Sequence, residues 1–167
     1  MSETEIIQRI AARGDGVTPS GRHVARGVPG DAVAADGTLT PGPHHVIPPC
    51  RHVPACGGCQ LQHADETALR QFVTDRVVHA AEAQDVAVGE VLPAHLSPPN
   101  SRRRATLHAL RTVKGAVLGF HEGGSHRIVD MRECHILVPE LFALVEPLRK
   151  LVATHGERQA VDIELTL

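Results

Sequence analysis

Three of the four cysteines, Cys50, Cys56 and Cys59, fall within the ten residues "CRHVPACGGC", and the fourth, Cys134, stands alone in "MRECHIL". No other feature constrains the fold as strongly, because a centre that takes all four thiolates must bring two distant segments together. A disulfide pair, a zinc ion and an iron-sulfur cluster are the available centres. The N-terminus "MSETEIIQRIAARG" lacks a basic region followed by an apolar run, and no stretch approaches the ~20 apolar residues that span a bilayer. The expectation is a soluble, cytoplasmic chain with no membrane partner, where a reducing environment disfavours structural disulfides. A thioredoxin-like dithiol would open a helix after a strand, whereas this CxxC follows a proline-rich loop.

Four thiolates complete either a tetrahedral zinc site or one cluster of four irons. Zinc sites commonly pair two knuckles, so three ligands on one loop with one remote partner favour the cluster; zinc stays open as the alternative. Gly57 and Gly58 between Cys56 and Cys59 are expected to take positive φ and to aim amide protons at sulfur. His52, His63 and His135 lie beside the cysteines, but with twelve histidines in the chain such neighbours arise by chance, and none is taken as a ligand.

At 167 residues and 42% hydrophobic content, the chain makes one ordinary domain or two small ones with a buried core. With three Phe and no Trp or Tyr, that core must be Val, Leu, Ile and Ala, and few rings are left to stack on bases. A formal charge of -2 gives no bulk attraction for a polyanion, so any nucleic-acid contact needs a local patch.

Residues 5–36 carry short β-like runs cut by Gly14, Gly16, Gly21, Gly27, Pro29 and Gly30, the texture of a small β-barrel. "DGTLTPGPHHVIPP" then reads as a loop leading into the cysteines. From Asp65 or Thr67, either of which can cap, Leu69, Phe72, Val73, Val77, Ala80 and Ala81 recur at helical spacing to about Gln84. "RRRATLHALRTVKGAVLGFHEGG" reads as a hairpin turning at Lys114-Gly115, with "HRIVDM" as a further strand. A second helix starts at Pro139 and stops at Gly156, and Pro147 should kink or divide it. "VDIELTL" alternates as a half-buried strand does.

"CRHVPACGGCQLQH" together with "MRECHIL" resembles the C-x5-C-G-G-C-x(n)-C signature of the RNA uracil-5-methyltransferase family. The similarity is wider than the cysteines. "RIAARGDGVTPSGRHVARGVPGD" is similar to that family's N-terminal TRAM domain, a small OB-like RNA-binding barrel. "SPPNSRRRATLHA" and "LGFHEGGSHRIVDMREC" resemble its following segments. By this resemblance Cys50, Cys56, Cys59 and Cys134 ligate a 4Fe-4S cluster with a structural or RNA-orienting role. The family's catalytic domain uses S-adenosylmethionine, and a cysteine thiolate adds to C6 of uracil so that C5 accepts the methyl group. Nothing in this sequence matches that domain, and all four cysteines are already assigned, so no catalytic residue is expected here.

The expected fold is therefore α+β. A shortened OB-like, TRAM-type β-barrel occupies residues 1–48 and the cysteine-rich cluster loop 49–63. An incomplete α/β central RNA-recognition domain fills 64–167, and the S-adenosylmethionine-binding catalytic domain is absent. The expected function is the iron-sulfur-containing RNA-recognition portion of an RNA uridine methyltransferase, acting on rRNA or tRNA as a monomer and inactive alone. The alternative is a zinc-stabilised nucleic-acid-binding or adaptor module. Arg102, Arg103, Arg104 and Arg127 are the candidate RNA contacts, with Arg102 and Arg104 sharing one strand face and Arg103 the other.

Overall fold

The computed structural model describes residues 4–156 and 159–167, which form two compact units. The first contains the residues up to Pro48 together with Gln60–Leu96, and the second contains Pro49–Cys59 and Ser97–Leu167.

In the first unit, strands β1 (Glu5–Ile6), β2 (Arg9–Ile10), β3 (Gly16–Val17), β4 (His23–Val24), β5 (Ala32–Val33) and β6 (Leu39–Thr40) are each two residues long. They are short because turns at Gly14, Gly21, Gly30 and Gly37, all with φ between 83° and 95°, reverse the chain every few residues. They pair antiparallel as two sheets, β1-β5-β6 and β2-β3-β4. The expected OB-like barrel is therefore corrected: among the described residues no closed barrel forms, since closure needs strands long enough to tilt and stagger around an axis.

Ile7, Val17, Val28 and Val33 fill the interior between turns. A buried carboxylate does the rest. Asp31, 0% exposed, accepts hydrogen bonds from the amides of Val28 (2.8 Å) and Gly42 (2.7 Å) and lies 2.8 Å from Nδ1 of His45.

Helix α1 (Glu66–Glu82) begins where Asp65 accepts from the Ala68 amide at 2.8 Å, and Glu66 pairs with Arg70 one turn on. Ala68, Leu69 and Phe72 pack onto Ile10 and Val28. The expected apolar face is only partly used. Val73 and Val77 stay exposed and, with Val91 and Leu92, border an open apolar cavity.

In the second unit, β7 (Arg104–Thr112) is the central strand between β8 (Gly115–Gly119) and β9 (Val161–Thr166), all antiparallel. Thr112 pairs with Gly115, so Val113 and Lys114 are the turn residues, one position earlier than the sequence suggests. Gly115, with φ 131°, absorbs the reversal. Residues 127–131 run beside 118–122 through three amide-carbonyl bonds, Glu122 to Arg127, Val129 to Phe120 and Met131 to Leu118, giving the expected extra strand an irregular form.

The helical segment divides as its proline requires. Helix α2 (Pro139–Ala143) ends at Leu144, and α3 (Val145–His155) resumes with Pro147 in its first turn, where no amide is needed. Ala105, Leu107 and Ala109 of β7 point at these helices and join Leu118, Met131, Leu137, Leu141, Val145, Val152 and Leu165 in one apolar cluster. Thr106 and His108 alternate to the opposite face. Arg149 of α3, 8% exposed, ties the helix to the 130–131 segment through the Asp130 carboxylate (2.8 Å) and the Met131 carbonyl (2.9 Å).

Candidate metal centre and nucleic-acid interface

All four cysteines belong to the second unit, where residues 49–59 pack against 120–135, and none of the four is in a disulfide. Arg51 makes the junction between the two cysteine-bearing segments. Its amide donates to Oε1 of Glu133 at 2.7 Å and its Nε to Oε2 at 2.9 Å, so the neighbours of Cys50 and Cys134 are held together. The Arg51 amide beside it holds the Glu133 carboxyl below its ordinary range, with the guanidinium adding to the effect. The Arg132 amide donates to Nε2 of His52 at 3.1 Å. Further along, the Gly57 amide donates to the His121 carbonyl at 2.8 Å and the Gly123 amide to the Ala55 carbonyl at 3.0 Å.

This packing explains the two glycines differently from the expectation. Neither Gly57 nor Gly58 has positive φ. A Cβ on Gly57 would meet the His121 carbonyl at 2.9 Å, and one on Gly58 would meet the Phe120 ring at 2.9 Å. Glycine is needed for close approach rather than for backbone freedom. The expected amide-to-sulfur contact is present, with the Gly58 amide 3.4 Å from Sγ of Cys56.

Burial pushes the Cys50 and Cys56 thiols up from their ordinary value. Cys134 lies near enough to raise both further, and Cys56 adds to the shift on Cys50. The backbone amide of His52 opposes this at Cys50, as that of Gly58 does at Cys56. Three thiols in mutual electrostatic range, with amides directed at two of them, form a donor set that gains from a cationic centre. Among the described residues, however, no three His, Cys, Asp or Glu side chains are grouped so as to hold one metal ion.

Arg102, Arg103, Arg104 and Arg127 are all exposed. Arg102 precedes β7 and bridges Leu137, Arg104 opens the strand, and Arg127 sits in the loop after β8. None of these four has an ion-pair partner among the described residues, whereas Arg51, Arg70, Arg132 and Arg149 are committed to Glu or Asp.

Two histidine groupings take shape only in the fold. Neither ring nitrogen of His63, 2% exposed, has a hydrogen-bond partner among the described residues, and its ring centroid lies 5.5 Å from that of His45. On the second unit, His108 and His121 stack at 3.5 Å with planes 3° apart, and His126 meets His121 edge to face at 5.5 Å. Asp162 orients the first ring, 2.7 Å from its Nδ1. With twelve histidines spread along the chain, no local spacing distinguished these three.

No family model matches the chain. It is 43% identical to an uncharacterized RNA methyltransferase of Zymomonas mobilis over 162 residues, covering 96% of this chain and 41% of the relative. It is 38% identical to an uncharacterized RNA methyltransferase of Caulobacter vibrioides, covering 96% of this chain and 43% of that protein. It is 40% identical over 137 residues to the 23S rRNA (uracil(1939)-C(5))-methyltransferase RlmD of Nitrosospira multiformis, covering 77% of this chain and 30% of that enzyme. The chain thus spans about two-fifths or less of the length of these relatives.

Proposed function

We propose, from the premise that this chain belongs to the RNA methyltransferases its relatives name, that it is the RNA-recognition portion of an S-adenosylmethionine-dependent uridine-C5 methyltransferase. In this reading Cys50, Cys56, Cys59 and Cys134 hold a 4Fe-4S cluster. The observation that carries it is the joining of the two cysteine-bearing segments in one unit, through the Arg51–Glu133 pair and the Gly57–His121 and Gly123–Ala55 backbone bonds. A cluster binds thiolates at the corners of a body larger than one ion, so its ligands stand farther apart than those of zinc. The three-plus-one spacing of the cysteines is what favours the cluster over the zinc alternative.

When bound, the cluster supplies a cationic crosslink between the segments. The protein's own residues orient the donors: Arg51 and Glu133 hold the segments together, Gly57 and Gly58 let the loop lie against residues 120–123, and the amides of His52 and Gly58 face sulfur. Methyl transfer itself is assigned to the additional length the relatives possess, because every thiol in this sequence is engaged at the cluster.

RNA contact falls to Arg102, Arg103, Arg104 and Arg127, whose guanidinium groups have no protein carboxylate to satisfy them among the described residues, with rRNA favoured by the RlmD relative. The short β-region, TRAM-like in sequence, is a second contributor to the RNA grip. The protein acts as a monomer in the cytoplasm, a reducing setting that suits cysteines without disulfides, and no described helix is long and apolar enough to cross a membrane.

Anaerobic purification followed by a visible spectrum tests the reading. A broad band near ~400 nm that bleaches in air is expected. A colourless protein carrying one zinc per chain would replace the reading with the zinc adaptor.

A further inference from the structure

The three rings His108, His121 and His126 form the largest aromatic grouping on the surface of the second unit, in a chain with no Trp or Tyr. Their position gives them meaning. One face of the β8-β7-β9 sheet is covered by α3, and His108 stands on the other, two residues from Thr106 and four from Arg104 along β7. That alternation places exposed Arg104 on the same face, about 13 Å along the strand from His108. His121 follows β8, and His126 sits next to exposed Arg127.

We propose that the His108–His121–His126 cluster is a stacking platform for an unpaired base of the RNA substrate, flanked by Arg104 and Arg127 as phosphate contacts. This rests on the RNA reading above and adds to it the element that holds the base. Two observations single out the occupant. The His108 and His121 planes are already parallel at stacking distance, with Asp162 fixing the orientation of His108, so the surface a base would meet is preorganised. The cations on either side have no carboxylate partner among the described residues, which matches a ligand that carries both π-faces and phosphates. A metal ion does not fit: among the described residues these histidines do not form a group that could hold one, and stacked planes turn ring nitrogens away from a common point.

Histidine is sequence-tolerant as a platform, because every base has a π-face; the platform holds a nucleotide and the surrounding contacts choose it. Single-stranded RNA should use it, and duplex RNA, whose bases are already stacked, should not.

The test measures binding of the whole chain, with its metal centre intact, to a fluorescein-labelled single strand of about twelve nucleotides and to the same sequence in a duplex. His126→Ala, on an exposed loop, and His121→Ala are each expected to weaken single-strand binding roughly tenfold while leaving duplex binding within about twofold. His121→Phe, which keeps a ring, should retain single-strand binding. Arg104→Ala and Arg127→Ala should weaken both probes and lower the salt slope by about one. Single-strand affinity unchanged in both histidine-to-alanine variants overturns the platform, as does an equal loss on both probes. In either case the wider RNA reading stands so long as the arginine variants behave as stated. Failure of the unaltered chain to bind either probe overturns both readings.

Discussion

The two units solve the same problem, a core built without Trp or Tyr, in opposite ways. The second unit relies on regular structure: a nine-residue central strand, helices across one face and a cluster of ten buried apolar side chains. The first unit has six strands of two residues and gathers its turns around the buried carboxylate of Asp31. Where strands are too short to satisfy their own backbone and bury a continuous face, a polar hub takes over the amides that the turns leave unpaired. The units should therefore respond to different kinds of damage.

The largest effect is expected from emptying the regular core. Leu107 is 0% exposed in the middle of β7, and Leu107→Ala should cost about 3–5 kcal/mol, read as a lower denaturant midpoint. A cost below about 1 kcal/mol would mean that the cluster is not the main support of this unit.

Next comes the polar hub. Asp31→Ala removes an acceptor from the buried amide of Val28 and the half-buried amide of Gly42, which should cost roughly 2–3 kcal/mol and unprotect those amides to hydrogen exchange. If this substitution proves as mild as a surface change, the contrast between the units fails at its polar end.

A smaller effect is expected at the start of α1, where Asp65→Ala should cost about 1 kcal/mol. The Asp65 carboxyl is held below its ordinary value of 3.8, first by the Ala68 amide and then by His44. A depressed folded-state value gives a contribution present in full above the unfolded value and lost as pH falls through the folded one. The gap between the unaltered chain and Asp65→Ala should accordingly close in acid below pH 3.8, which melting curves across that range would reveal. The smallest effect should come from Val77→Ala: at 69% exposed, Val77 contributes within about 0.5 kcal/mol despite its place in the apolar pattern of the helix.

The legible parts of this molecule are those whose cause is local. Asp65 as a cap, the β7–β8 hairpin, the division of the second helix at Pro147 and the alternating β9 all follow from spacing or from one residue's backbone chemistry. Val73 and Val77 show the limit of spacing, since periodicity marks an apolar face without saying whether anything covers it. The reason for Gly57 and Gly58 was illegible because their neighbours, His121 and Phe120, are remote in sequence. The roles of Asp31 and of the stacked histidines were illegible because both come from contacts that only the fold creates. At the cysteine site the residue types and the three-plus-one spacing were readable, while the clamp between Arg51 and Glu133 was not.

The central claim is that sulfur from two separated segments grips iron. Its most direct measurement is iron, acid-labile sulfide and zinc per chain in oxygen-free material, for the unaltered protein and for Cys134→Ser. The account predicts about four iron and four sulfide with negligible zinc, and a substantial loss of iron together with a lower melting temperature in the variant. Iron-free protein, or a Cys134→Ser variant with undiminished iron and unchanged melting, would contradict it.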